Sequence, residues 1–219
     1  MLKTIDLTVN NMSVPIQIPD KELFRINAIF QDQEYRIPNP GPVHTVVDIG
    51  ANIGLTAIYF RILYPASRIC CFEPCSSSFN MLRHNIARFD GIEAYRLAIS
   101  DYDGEATLKI HKDNSGQNSL TLDGASFTNR ETVMVRSAYS LLQEMQLTTV
   151  DVLKIDTEGS EVPIMRSLIP ILPKMRHVLV ETHSLEDRLA IEALLPTHTL
   201  VADRNHIRGF GILLFSRKE

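Results

Sequence analysis

The apolar positions of this chain fall into short runs at regular intervals, with no single long stretch. Val46-Val47-Asp48-Ile49 and Arg68-Ile69-Cys70-Cys71-Phe72 are runs of strand length rich in β-branched and bulky residues. Between them Leu55, Ile58, Tyr59, Ile62 and Leu63 recur at the three-to-four-residue interval of an amphipathic helix, so the three pieces read as a βαβ unit. The alternation continues with Phe79, Leu82, Ile86 and Phe89 on a second helix, then strands over 94–99 and 106–110. Residues 111–132 interrupt it. They are crowded with Asn, Ser and Gly and read as a long loop. A helix over 138–145, a strand over 150–155, a helix after Gly159, a strand over 177–180 and a helix over 185–195 follow. Two closing strands, 199–201 and 210–215, are joined by a segment too short for a helical crossover, which predicts an antiparallel pair. Residues 1–40 read as a preface with a strand pair and one helix. Helices alternating with strands predict an α/β fold around a doubly wound, mostly parallel sheet, in a single domain over 1–219 with 41–219 as its core.

Composition narrows the partners. A hydrophobic content of 44% in 219 residues suits one buried core. With 22 Lys+Arg against 26 Asp+Glu the net charge is −4, so no overall positive field favours nucleic acid. Neither an apolar leader nor a run of roughly 20 apolar residues is present, which predicts a cytoplasmic protein without a membrane span. Cys70, Cys71 and Cys75 lie too close together to staple distant elements, and adjacent strand residues face opposite ways, so they are expected as buried thiols.

The chemistry begins at Asp48-x-Gly50-x-Asn52-x-Gly54, placed between a strand and a helix, where backbone can approach a nucleotide-like ligand. A dinucleotide fingerprint would need glycine where this chain has Asn52 and Leu55, and no Gly-Lys-Ser/Thr of a phosphate-binding loop follows. Glu73, at the end of the next strand, is placed to accept both hydroxyl protons of a ribose, or else to cap the following helix. Asp48 has its own alternative, a structural carboxylate bonding turn amides. An NAD(P)-dependent oxidoreductase or epimerase and a non-catalytic adenosyl-binding protein remain as alternatives.

Four segments together resemble the FkbM family of S-adenosylmethionine-dependent methyltransferases: Val47-Asp48-Ile49-Gly50-Ala51-Asn52-Ile53-Gly54, Phe72-Glu73-Pro74, Ala98-Ile99-Ser100-Asp101-Tyr102-Asp103-Gly104, and Leu153-Lys154-Ile155-Asp156-Thr157-Glu158-Gly159-Ser160-Glu161. The resemblance implies a class I methyltransferase, Rossmann-like, with a seven-stranded sheet whose last strand is antiparallel. It also implies that Asp48, Gly50, Asn52 and Gly54 cradle the methionine side of S-adenosylmethionine, Glu73 the ribose, and Ser100 with Asp101 the adenine edge. A hydroxylated small molecule, natural product or sugar is the implied acceptor.

Methyl transfer to oxygen needs an aligned acceptor and a base. Asp156 and Glu158 follow the fourth core strand, and Glu181 and His183 the fifth, so both pairs should emerge at the cofactor's edge of the sheet. His183 is the expected general base, because an ordinary imidazole titrates near neutral pH; its alternative is a cap on the helix that follows. Glu158 could equally cap its own turn, and Glu161 suits the first turn of a helix. Lys154, inside a strand, is expected to pair with an acid. Asp156, Glu181 and His183 are also of the donor types that bind Mg²⁺ or Mn²⁺, although no metal is assigned. The remaining histidines, His44, His84, His111, His177, His198 and His206, have no such setting. Oligomeric state is not written in the sequence, a homodimer being only the general default.

Overall fold

The computed structural model describes residues 1–9, 12–207 and 209–218; the side chains of Val9, Met12, Asn205, His206 and Ile207 lie outside the described set. The preface forms an antiparallel pair, β1 (Leu2–Val9) and β2 (Met12–Pro19), then a short helical segment, α1 (Phe24–Ile26), that widens into a π-type turn over Asn27–Gln31. The core runs β3 (Thr45–Ile49), α2 (Leu55–Leu63), β4 (Arg68–Phe72), α3 (Ser76–Ile86) and β5 (Ile92–Tyr95). A smaller three-stranded sheet follows, built from β6 (Ala98–Ser100), β7 (Gly104–His111) and β8 (Phe127–Ser137) in the order β6-β8-β7. The core then resumes with α4 (Ala138–Glu144), β9 (Val150–Ile155), α5 (Glu161–Ser167), β10 (Met175–His183), α6 (Leu185–Leu194), β11 (His198–Ile207) and β12 (Phe210–Arg217).

The main sheet has seven strands in the order β11-β12-β10-β9-β3-β4-β5. Strands β5, β4, β3, β9 and β10 pair in parallel, and β12 is antiparallel to both β10 and β11. This is the expected α/β architecture with its antiparallel last strand. The chain leaves β3 toward β4 on one side and returns to β9 on the other, so the strand order reverses between β3 and β9. In an open α/β sheet such a switch point leaves a crevice outside the strands' carboxyl ends.

Burial explains why the inner strands are almost continuously apolar. Val46, Ile69, Cys71, Val152 and Leu179 pack against α2, α3 and the preface on one face. Val47, Ile49, Cys70, Phe72, Leu153, Ile155 and Val178 pack with residues of α4, α5 and α6 on the other. A parallel sheet covered on both faces has no polar side to present. Cys70 and Cys71 accordingly enter opposite cores, and all three cysteines are free and buried. Among the described residues, no helix is long and apolar enough to cross a membrane.

Four elements depart from the sequence reading. The expected strand over 94–99 is two strands in two sheets, because the chain turns after Tyr95 so that β5 edges the main sheet while β6 pairs with β8. The expected loop over 111–132 ends early: β8 begins at Phe127, and its mostly exposed residues carry no strong apolar alternation because only Val133 and Val135 are buried. Strand β10 continues beyond Val180 to His183, since Glu181, Thr182 and His183 pair with Ile212, Gly211 and Phe210. Likewise β11 runs on through residues read as a connecting segment.

Parallel register sets Asp48 directly beside Lys154. Both side chains are buried; the Lys154 Nζ lies 3.1 Å from Asp48 Oδ1 and 3.5 Å from Asp156 Oδ2, and it donates to the Gly50 carbonyl at 2.7 Å. Burial would lower the Lys154 ammonium, but Asp48 and Asp156 more than offset it and keep the group charged. Lys154→Met should cost about 3–5 kcal/mol, because the buried Asp48 and the half-buried Asp156 lose their cation. Urea unfolding followed by far-UV circular dichroism checks this, and a midpoint equal to wild type would refute it.

Candidate active site

A cleft of about 610 Å³ opens at the switch point. Its floor is the turn after β3. Gly50 sits at φ +80°, and a Cβ there would come within 1.7 Å of the Asp156 carbonyl oxygen, so only glycine lets β3 and β9 converge this closely. The amides of Gly50 and Ala51 both donate to the Phe72 carbonyl, which anchors the turn to β4. Asn52 is left-handed at φ +47°, and its amide points at the Glu73 carboxylate, 2.9 Å away. The other Glu73 oxygen accepts the Cys75 amide at 2.8 Å. Glu73 thus both caps the approach to α3 and lines the cleft. Two acceptor positions of the carboxylate stay available to a ligand.

The rest of the wall is apolar, with Phe72, Leu97, Ile99, Leu108 and Leu120. The roof is the segment between β7 and β8. Ser115 donates its N–H to Glu22 at 2.8 Å, and its Oγ lies 2.8 Å from both the second Glu22 oxygen and Asn52 Oδ1, the single hydroxyl proton serving one of the two. Ser119 Oγ donates to the Glu158 carbonyl, and Arg25 Nη2 reaches Asn114 Oδ1 at 2.6 Å. Asp156 and Glu158 enter from the end of β9.

Residues 48–207 match the Methyltransferase FkbM domain. The chain belongs to the FkbM methyltransferase family. It is 28% identical over 205 residues to methyltransferase sdnD of Sordaria araneosa, covering 78% of this chain and 79% of that one. It is also 28% identical over 205 residues to the 31-O-demethyl-FK506 methyltransferase FkbM of Streptomyces tacrolimicus, covering 76% of each. The crystal structure of methyltransferase FkbM from Methylobacillus flagellatus superimposes with a TM-score of 0.58 at 15% identity, over 91% of this chain. This FkbM-family chain spans about half (48%) of the length of that one.

The structure distributes the expected site residues of this FkbM-family chain unevenly. Gly50, Asn52, Glu73, Asp156 and Glu158 line the cleft. Asp48 does not: it is wholly buried, accepting Thr56 Oγ1 at 2.5 Å and pairing with Lys154 beneath the turn. Gly54 faces α3, where an added Cβ would meet Leu82 Cδ1 at 2.7 Å. Ser100 bonds its neighbour Asp101 at 3.3 Å, and the cleft wall at that point is formed by Leu97, Ala98 and Ile99 instead. Arg25, Ser115, Gly116 and Asn118 come to the cleft from residues 1–40 and 111–132, segments expected to shape the entrance but without a motif that singles out these residues.

Behind Glu158 stands a compact set of charges. Glu158 is left-handed at φ +56°, ahead of Gly159 at φ +111°. Glu161 holds that turn by accepting Thr157 N at 2.6 Å, Thr157 Oγ1 at 2.9 Å and Gly159 N at 2.9 Å. The His183 ring lies 3.4 Å from Glu181, 3.7 Å from Glu161 and 3.9 Å from Glu158. Donor atoms of Glu158, Glu181 and His183 fall within 4.8 Å of one another, a spacing one cation can serve, and in this arrangement the imidazolium is itself that cation.

Burial pushes Glu158 up to about 7, helped by the Asp156 charge. Burial and Asp156 drive Glu181 well above the carboxylate range, so the proton between Asp156 and Glu181 resides on Glu181. For Asp156 itself burial acts upward, but Lys154, the protonated Glu181, Arg25 and Tyr35 bring it down to about 2. The ring of carboxylates has the opposite effect on His183: burial would lower it, yet the close approach of Glu161 and the charges of Glu161, Glu158 and Asp156 carry it up to about 9. The imidazole expected to titrate near neutrality is protonated at pH 7 in the ligand-free protein.

Because His183 is raised from its ordinary 6.5, its contribution to stability is fully present below about pH 6.5 and is lost as pH rises through about 9. The imidazole Cε1–H resonance, followed by NMR against pH with His183→Asn for assignment, should titrate near 9. A midpoint at or below 6.5 would contradict the carboxylate cradle.

Proposed function

We propose that this chain transfers a methyl group from S-adenosylmethionine to a hydroxyl oxygen of a small molecule, with Glu158 as the group that takes the acceptor proton. The observation that carries this reading is one cleft with Glu73 beside the Gly50–Asn52 turn at one end and Glu158 at the other. The fit to an adenosyl group rests on the free acceptor capacity of Glu73, which suits a ribose diol, and on the apolar wall of Phe72, Leu97, Ile99 and Leu108, which suits a purine. The printed name of the Streptomyces tacrolimicus relative, a 31-O-demethyl-FK506 methyltransferase, supports oxygen of a small molecule as the acceptor.

When bound, S-adenosylmethionine supplies an electrophilic methyl carbon on a sulfonium. The protein then has to hold the acceptor oxygen in line and remove its proton. Glu158 lines the cleft and, with its carboxyl held near 7, is poised at the pH where a base is most effective. His183 stands behind it as a fixed positive charge, 3.9 Å from the carboxylate, and stabilises its ionised form. Glu181, neutral, and Asp156, ionised, line up beside it, so the acceptor end of the cleft is acidic overall and attracts a cationic centre.

Calorimetry with S-adenosylhomocysteine should give selective one-to-one binding, with none for NAD⁺ or NADP⁺, and Glu73→Ala should weaken it by roughly tenfold or more. An unchanged affinity in that variant would remove the ribose role. With a hydroxylated acceptor found by screening, Glu158→Gln should lower kcat by about 10²–10⁴ while homocysteine-compound affinity stays within a few-fold. The acidic limb of the wild-type pH profile should fall near 7; a variant with wild-type kcat would move the base elsewhere.

A further inference from the structure

The roof of the cleft carries a tip that no apolar side chain holds down. Asp113-Asn114-Ser115-Gly116-Gln117-Asn118 contains none, and all six residues are at least partly exposed. The base of this tip is firm. Lys109 and Ser119 exchange backbone hydrogen bonds of 2.9 and 3.0 Å, and the Ser119 hydroxyl donates to the Glu158 carbonyl. The tip is also braced on itself: the Asp113 and Asn114 amides donate to His111 Nδ1 at 3.2 and 3.1 Å, and the His111 amide donates to Asn118 Oδ1 at 2.9 Å. It can therefore swing as a unit about its base, and segments with few buried apolar contacts are the ones that open locally at low cost.

What fastens the tip is polar and comes from the preface. Glu22, in the short turn Asp20–Glu22 after β2, is only 2% exposed. Its Oε1 accepts the Ser115 amide at 2.8 Å, and its Oε2 stands 2.8 Å from the Ser115 hydroxyl and 3.6 Å from Arg25 Nε. Arg25 in turn donates to Asn114 at 2.6 Å, and Lys21 pairs with Asp113. The lysine pair is solvent-exposed and contributes little. The Glu22 contacts are enclosed and made to a carboxylate, which makes them the strong ones. Lifting the tip would replace Ser115 with water, so Glu22 is satisfied in both positions.

Under the tip lies the ligand end of the cleft. Ser115, Gly116 and Asn118 line it, the Ser115 hydroxyl is 2.8 Å from Asn52 Oδ1, and the Asn52 amide is 2.9 Å from Glu73. A ligand resting on Glu73 is thus one residue away from the tip that covers it. We propose that residues 113–118 are a lid over the cofactor end of the cleft and that Glu22 is its clasp: the lid lifts as the cofactor enters and leaves, and the Glu22–Ser115 contact sets the rate of release. The clasp lies outside the family-matched segment, residues 48–207, so the preface of this chain supplies it. The inference rests on the cofactor reading given above.

The test uses the intact chain as wild type, Glu22→Gln and Ser115→Ala. Glu22→Gln leaves one acceptor where Ser115 meets two, and Ser115→Ala removes only a hydroxyl at a partly exposed position. Hydrogen–deuterium exchange of the 113–118 amides is followed by mass spectrometry with and without S-adenosylhomocysteine, and release of the tritiated compound is timed in a filter-binding chase. Saturating S-adenosylhomocysteine should slow exchange at 113–118 roughly tenfold or more, and Glu22→Gln should release the compound roughly tenfold faster, with a smaller acceleration in Ser115→Ala. Without ligand, Glu22→Gln should exchange faster at 113–118 while peptides from β3 and β9 exchange as in wild type. Tip exchange that is the same with and without bound ligand, or release at the wild-type rate in both variants, overturns the lid. If Glu22→Gln also loosens β3 and β9, the release rate of Ser115→Ala decides: faster than wild type supports the lid, equal overturns it. No binding of S-adenosylhomocysteine by wild type sinks the cofactor reading, and the lid is then judged on ligand-free exchange, where equal rates at 113–118 in wild type and both variants overturn it.

Discussion

The Lys154 ammonium, buried between two carboxylates at the point where β3 and β9 part, is the interaction on which the site's geometry depends. It joins Asp48 of β3 to Asp156 just beyond β9 and holds the Gly50 carbonyl between them. An isolated charge at this depth would be prohibitive, so the three groups persist only as a set. Its geometric consequence is that the glycine turn is fixed against the end of β9, and every side chain that enters the cleft from either strand inherits its position from that junction. Asp48, which never touches the cleft, acts through this pairing.

Charge is then passed outward in a defined order. Lys154 keeps Asp156 ionised; the ionised, half-buried Asp156 keeps the proton on Glu181 and raises Glu34 and Glu158. The carboxylates collected by the turn at Glu158 and by β10 in turn hold the proton on His183. A cluster of this kind separates the roles of chemically similar groups: one acid is permanently charged, one neutral, and one set near physiological pH. In this protein the group set near neutrality is a carboxyl that faces the cleft, and the histidine is the counter-charge behind it.

The cleft is also a closure between parts of the chain that are far apart in sequence. The preface supplies Glu22 and Arg25, the insertion supplies Ser115, Gly116 and Asn118, and the glycine turn supplies Asn52, whose side chain bonds the insertion while its amide bonds Glu73. Ligand contact and roof closure thereby use the same residues, so a ligand seated on the turn bears on the elements that cover it.

Much of this was legible in the linear chain. The spacing of Leu55, Ile58, Tyr59 and Ile62 between two apolar runs determined the first βαβ unit. The glycine turn and Glu73 located one end of the cleft, and the segment from Lys154 to Glu161 located the other, because strand, turn and helix signals are local and each was encoded within a few residues. Adjacent cysteines on opposite faces followed from strand geometry alone. What lay beyond the sequence was whatever depends on register or on distant contacts. Asp48 carries the same side chain whether it lines a ligand or sits under the turn, and only the pairing of β3 with β9 put it against Lys154. The protonation of His183 arose from acids gathered by a turn and a strand 20 residues and more apart, and the placement of Arg25 at the cleft arose from its bond to Asn114 in the roof. Local pattern determined which elements form, whereas tertiary packing decided which buried charges meet, and the strength of an electrostatic interaction depends on distance and burial that a sequence does not contain.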